Sequence, residues 1–298
     1  MSDPDDLFTM RNCFWLGLYQ QALAEGAGLP RNMPEPMKLE KEEYVHRCHI
    51  AMGQYQTVIS AVSDSAPTSL QACKLLATYE AQPENRDMVL LTLGEWLDDP
   101  SSGHNPTLQL LAADIYCRED NLKEAIRAIR NGVTMEQTAL LAQIYLRMDR
   151  LDLALKQHRI MQEADEDSTL THMVGAWVCL AAGTTKKAQE AAYVFDELID
   201  KYQASPLLLN GVAVAKMHMG EWGEAEANLL EAAGKPGGGG ADTLVNLVTC
   251  CRHLDKPESQ AQQYLEQLKE KYPNHAYTVT LRNAESAFSR VSDSLAVA

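Results

Sequence analysis

The chain has 298 residues, with 41 Asp or Glu against 26 Lys or Arg, a formal net charge of −15. With no basic run to offset that charge, both a polyphosphate backbone and an anionic lipid surface are repelled, which argues against nucleic-acid binding and direct membrane docking. No apolar stretch approaches the roughly 18–20 residues of a bilayer span, and the acidic start Met1-Ser2-Asp3-Pro4-Asp5-Asp6 lacks the apolar segment of a secretory leader. Seven cysteines without a close-spaced framework point to a reducing, cytoplasmic compartment.

In chain order, Gly17, Tyr19 and Ala22 read as the turn and second helix of a helix pair, and Gly53, Tyr55 and Val58 repeat that spacing. Residues 67–81 and 83–97 predict two further helices, each opened by a proline at the tolerated helix start. Pro30, Pro34, Pro36, Pro100 and Pro106 mark connections. No segment sustains the period-2 alternation of a strand.

From residue 101 a lattice takes over. Ala125, Ala154, Ala191, Ala225 and Ala261 are separated by steps of 29, 37, 34 and 36 residues. Each is followed four residues later by a bulky side chain: Ile129, His158, Phe195, Leu229 and Leu265. Each is preceded by a small residue twelve positions earlier: Ala113, Ala142, Cys179, Ala213 and Thr249. Small residues let two antiparallel helices approach, and the bulky one fills the groove to the next pair. This is a helix-turn-helix repeat of about 34 residues, the tetratricopeptide type. In its best copy Pro206 opens the first helix, Gly220 breaks it and Trp222 opens the second. The 29-residue step predicts a tight turn or a clipped helix.

The tail carries Leu281, Ala284, Phe288 and Val291 on one helical stripe, which predicts a helix that caps the exposed end of the stack. The expected architecture is all-α: one tetratricopeptide-like solenoid, a right-handed superhelix over residues 1–298. It divides into degenerate repeats in 1–100, regular repeats in 101–275, and a capping helix and tail in 276–298.

Candidate chemistry is sparse. His46-Arg47-Cys48-His49 offers two histidines at helical spacing, but a structural zinc site needs four ligands and no second cluster accompanies it. Cys250-Cys251 reads as a packing pair. Residues 234–240 are glycine-rich but lack G-x-x-x-x-G-K-[ST], and a flexible linker accounts for them. Asp165-Glu166-Asp167 precedes a helix start and reads as charge capping. No catalytic constellation is present, so neither an enzyme, a metal nor a cofactor is expected.

A repeat of this kind presents its first helices to a partner. Counting back from each alanine, positions 2, 5, 9 and 12 of those helices form a stripe. The stripe residues predicted to bind a partner are Leu110, Leu146, Met173, Leu180, Leu207, Asn210, Val214, Met217, Asn246, Cys250 and His253. Among the twenty stripe positions only Asp114 and Glu136 are charged and none is Lys or Arg. An uncharged groove suits a helical or folded partner. The alternative, a tetratricopeptide co-chaperone or adaptor that clamps an extended peptide's carboxylate with Lys, Arg and Asn, is disfavoured by the missing cations.

Several segments in order resemble the epsilon subunit of coatomer, the COPI vesicle coat. They include Arg11-Asn12-Cys13-Phe14 with Gly17-Leu18-Tyr19-Gln20-Gln21, Asp149-Arg150-Leu151-Asp152-Leu153-Ala154, Asp165-Glu166-Asp167-Ser168-Thr169-Leu170-Thr171, Leu207-Leu208-Leu209-Asn210-Gly211 and His253-Leu254-Asp255-Lys256-Pro257. The resemblance implies a non-catalytic coat subunit that binds the C-terminal domain of the alpha coat subunit. It further implies assembly with the remaining coatomer subunits and recruitment to Golgi membranes and COPI vesicles by an Arf-family GTPase. The transport served would run from Golgi to endoplasmic reticulum and within the Golgi.

Overall fold

The computed structural model describes residues 5–30 and 32–296; the acidic start at residues 1–4 and the last two tail residues lie outside them. Among the described residues there are seventeen α-helices and no strand. Contacts divide the chain into two compact units, Met1–Gly183 with Lys201–Gln203, and Thr184–Asp200 with Ala204–Ala298.

The first unit opens with α1 (Phe8–Trp15), α2 (Tyr19–Gly28), α3 (Glu35–Ala51), α4 (Tyr55–Ala61), α5 (Thr68–Ala81) and α6 (Arg86–Asp98). The helices predicted after Pro67 and Pro83 are both present, the second preceded by a 3-10 turn at Pro83–Asn85. The regular pairs follow: α7 (Pro106–Arg118) with α8 (Leu122–Ile129), α9 (Met135–Arg147) with α10 (Leu151–Ala164), and α11 (Thr169–Ala181). The 29-residue step has its cause in α8, which is clipped to 8 residues. The second unit holds α12 (Thr185–Lys201), the pairs α13 (Pro206–His218) with α14 (Trp222–Gly234) and α15 (Ala241–His253) with α16 (Glu258–Lys271), and α17 (Ala276–Ala296).

The lattice alanines are where close approach demands them. Ala125, Ala154, Ala191 and Ala225 are fully buried and Ala261 is 2% exposed. The bulky residues reach the neighbouring helix where it is bare. A Cβ at Gly211 would lie 2.8 Å from the Phe195 ring, and one at Gly175 would lie 2.8 Å from His158 Nε2. Each of these repeat contacts therefore depends on a glycine opposite a large side chain.

The turns after α1, α3, α7, α9, α11, α13 and α15 use one backbone device. The residue two past the end of the first helix takes a left-handed conformation: Gly17, Gly53, Gly183 and Gly220, but Asp120, Asp149 and Asp255 in the other pairs. Glycine adopts this without cost, and aspartate tolerates it because its short side chain bonds locally. In α7, α9, α11, α13 and α15 this residue is always the fifteenth from the helix start, and each of these helices has 13 residues. The register of the first helices is therefore set by the turn.

Two expectations change here. The glycine-rich segment 234–240 is built more tightly than a flexible linker: the Gly238 amide donates to Lys235 O at 2.9 Å, and a Cβ there would sit 1.6 Å from Ala232 O. The capping helix forms, and its start packs. Thr278 is buried and Lys269 pairs with Glu285 at 2.9 Å, whereas Phe288 is 76% exposed. The acidic run lies directly before α11, as expected; its cap Ser168 makes no side-chain cap bond, and Asp165 Oδ1 accepts from the Asp167 amide at 3.2 Å.

Candidate partner-binding faces

In the first unit, much of the stripe is already covered by the chain itself. Leu110 and Met173 are buried. Leu146 is half-buried against the apolar cluster on which Trp15 and Trp177 also pack, and Leu180 is half-buried. Thr107 Oγ1 on α7 donates to Glu43 Oε2 on α3 at 2.7 Å. On α9, the stripe carboxylate Glu136 accepts from Arg47 Nη1 and Nη2 at 2.9 and 2.8 Å, and from the Trp15 indole at 2.7 Å. The Arg47 guanidinium lies 4.5 Å over the Phe14 ring and 4.9 Å over the Tyr44 ring.

This ion pair is buried, with side chains 11% and 17% exposed. Burial alone would raise the Glu136 pKa, but the charge and hydrogen bonds of Arg47, with those of Trp15 and Tyr44, outweigh it and hold the carboxyl below its usual range. Asp114, the other charged stripe residue, is paired with Arg118 at 2.9 Å. Leu110 and Met173 are therefore withdrawn from the partner-facing set, because the chain's own packing covers them.

The second unit keeps an accessible stripe on α13. Leu207 is 37% exposed, and Asn210, Val214 and Met217 are half-buried. On α15 the count from Ala261 misplaces the stripe by one residue. Gly220 precedes Ala225 by five positions, whereas Asp255 precedes Ala261 by six, so the extra residue lies in the turn. Taken from the turn, the α15 stripe is Asp242, Val245, Thr249 and Arg252. Cys250 is fully buried against Ala213, Ala225, Leu229 and Leu247, which removes it from any contact surface. His253 is exposed, and its ring stacks on Trp222 at 3.7 Å and 2°.

Asn246 is off the stripe but reaches it, donating through Nδ2 to Asn210 Oδ1 at 3.3 Å. Asn210 Nδ2 donates to Pro206 O and Thr243 Oγ1 at 2.8 and 2.9 Å. The oxygen and nitrogen of the Asn210 amide are thus both committed within the chain. The register correction also brings one exposed cation, Arg252, to the position that Met217 holds on α13. Lys216 is turned instead to Glu221 and Glu224, at 2.7 and 2.8 Å.

The other candidate chemistry does not assemble. Among the described residues no three His, Cys, Asp or Glu side chains are gathered as a metal site requires. His46 is buried with neither ring nitrogen hydrogen-bonded, while His49 Nδ1 meets Gln54 Oε1 at 2.7 Å. None of the seven cysteines is in a disulfide, and burial pushes the thiols of Cys48 and Cys73 up to about 12 and that of Cys250 up to about 11, which suppresses the reactive thiolate. No helix is long and apolar enough to cross a membrane among the described residues.

Burial lowers the His46 pKa, outweighing the opposing pull of Glu42 at 3.7 Å. The unfolded chain therefore takes up a proton below about pH 6.5 that the folded chain resists, and stability present above that pH is lost as pH falls. The thermal midpoint is expected to fall between pH 7 and pH 5, with a shallower fall in His46→Leu. Equal pH slopes for the two proteins in scanning calorimetry would contradict this.

The tetratricopeptide repeat architecture recurs in solved structures. A tetratricopeptide repeat protein from Parabacteroides merdae superposes with a TM-score of 0.59 at 15% identity, covering 88% of this chain and 96% of that one. A chain of the APC/C hetero-tetramer Cut9-Hcn1 gives 0.64 at 14% identity, covering 94% and 55%. At such identities these likenesses establish the fold alone. The sequence decides the family, because the model of the coatomer epsilon subunit matches residues 3–296.

The chain belongs to the coatomer epsilon-subunit family.

It is 43% identical to coatomer subunit epsilon-1 of Arabidopsis thaliana over 296 residues, covering 99% of both chains. Coatomer subunit epsilon-1 of Oryza sativa subsp. japonica is 41% identical over 99% of this chain and 100% of its own. The Dictyostelium discoideum coatomer subunit epsilon is 35% identical, with 97% of each covered. As a member of this family the chain is a COPI coat subunit that assembles with other coatomer subunits in vesicle transport. The family is a structural component of the coat. Of the stripe residues, the hydrophobic spacing disclosed those on α13; the covering of the first unit carried no local sequence signal.

Proposed function

We propose that this epsilon-family chain serves the coat by binding the C-terminal domain of the alpha coat subunit, and that it has no catalytic role. It would act in the cytosol, and on Golgi membranes and COPI vesicles once an Arf-family GTPase recruits the assembled coat. The transport steps are Golgi-to-endoplasmic-reticulum and intra-Golgi. The observation that supports a folded partner is the α13 stripe, where Leu207, Val214 and Met217 line a face with no unpaired charge of its own. Such surface contributes about 25 cal/mol per Å² buried, before the costs of association. The carboxylate-clamp alternative is weakened further by the Asn210 amide, whose donors are spent inside the chain.

Val214→Asp is the direct test, because it places a charge in the contact at a half-buried surface position. Titration calorimetry against the C-terminal domain of the alpha coat subunit is expected to show at least a tenfold loss of affinity with an unchanged circular dichroism spectrum. Wild-type affinity in the folded variant would show that this stripe does not face the partner. An apolar contact also predicts less than a tenfold change in affinity between about 0.05 and 0.5 M salt; a larger loss would assign the contact to charges such as Arg252. Cys250→Asp is expected to unfold the repeat, since Cys250 is core.

A further inference from the structure

In a repeat stack each helix pair touches only its neighbours. The first unit breaks that rule through α1. Its N-cap Leu7, with Met10 and Cys13, packs into the α2–α3 cluster. The opposite side reaches far down the chain: the Trp15 indole donates to Glu136 on α9, 121 residues away, and Asn12 Oδ1 accepts from Thr169 Oγ1 on α11, 157 residues away. Asn12 is itself buried, and its Nδ2 donates to Phe8 O at 2.9 Å, so the amide is fully oriented. Trp15 also joins the apolar cluster of Ala139, Leu146 and Trp177.

We infer that the stripe face of α9 and α11 is a helix-docking groove whose occupant is the chain's own α1, held in cis. The chemistry of the groove matches that occupant. Glu136 is an acceptor fixed by Arg47 for an indole N–H, Thr169 is a donor for an amide one helical turn away, and the apolar cluster of Ala139, Leu170 and Val174 receives the ring. Asn12 and Trp15, at i and i+3, present those groups on one side of α1. A partner helix reaches this face only by displacing α1, so the first unit offers no open groove here. This docking goes beyond coat membership and rests on the first unit alone.

The test is amide hydrogen exchange on the full chain, wild type against Trp15→Ala and Glu136→Gln. Trp15→Ala removes the ring and its donor. Glu136→Gln keeps an acceptor for the indole but loses the charge that holds Arg47. Both are expected to speed exchange in Phe8–Trp15, at least tenfold for Trp15→Ala and less for Glu136→Gln, with the α13–α16 amides unchanged. If α1 exchanges at the wild-type rate in both variants, α1 is not held by these contacts. An equal rise across α13–α16 would mean a general loss of stability, and would also overturn the inference. Should Trp15→Ala fail to fold, the Glu136→Gln profile decides between the same two outcomes.

Discussion

Arg47→Ala is expected to cost about 3–5 kcal/mol of folding stability, the usual penalty for stranding one member of a buried ion pair. Glu136 would keep its carboxylate in a site where its side chain is 17% exposed, with the indole of Trp15 still donating to it but no cation beside it. The rings of Phe14 and Tyr44 would lose the cation stacked upon them. Acid should act in the same direction but late. The Glu136 carboxyl is held below its usual range, so the pair's stabilisation is present above about pH 4.3 and is lost as pH falls through the lower folded value. Chemical denaturation at pH 7 measures the loss. A double variant Arg47→Leu with Glu136→Leu should recover much of it, because neither charge is then left alone.

Ala225→Trp is the second large effect. Ala225 is fully buried, with Ala213, Leu229, Leu247 and Cys250 around it, so the indole has nowhere to go without parting α14 from its neighbours. Overpacking typically costs about 1–3 kcal/mol, and a substitution of this size at a helix-contact point belongs at or above the top of that range. The damage should spread to α13 and α15, since a repeat is stabilised through its neighbours. An unchanged thermal midpoint would mean that the alanine lattice does not mark the helix contacts.

That lattice was the legible part of the fold. Ala125, Ala154 and Ala225 are set five residues after the left-handed turn, so counting from them gives the right stripe on α7, α9 and α13. On α16 the count fails because Lys256-Pro257 lengthens the turn before Ala261. On α12 it fails because Gly183 precedes Ala191 by eight residues. Asp120, Asp149 and Asp255 would have supplied the correct anchor, but an aspartate in a turn has no spelling of its own, whereas Gly220 does. The occupancy of the first unit's stripe was illegible for a different reason. Glu136 looks like a solvent-facing helix residue until Arg47, 89 positions earlier, is folded against it. Periodicity reports which side of a helix is apolar, and carries nothing about which distant segment will cover a polar one. The exposed Phe288 shows the converse: a stripe of helical period in α17 predicts a helix, and its burial depends on a neighbour that α16 does not provide.

If this coat subunit meets the alpha subunit through the stripe of its second unit, binding must leave a mark on that stripe. Hydrogen exchange on the wild-type chain, with and without a saturating C-terminal domain of the alpha coat subunit, reads that mark. Exchange should slow on binding in α13 and α15, centred on the segments carrying Leu207, Asn210, Val214 and Met217, with Phe8–Trp15 remaining as protected as in the free chain. Binding that leaves α13 and α15 unchanged, or no binding at all, would rule the proposed contact out.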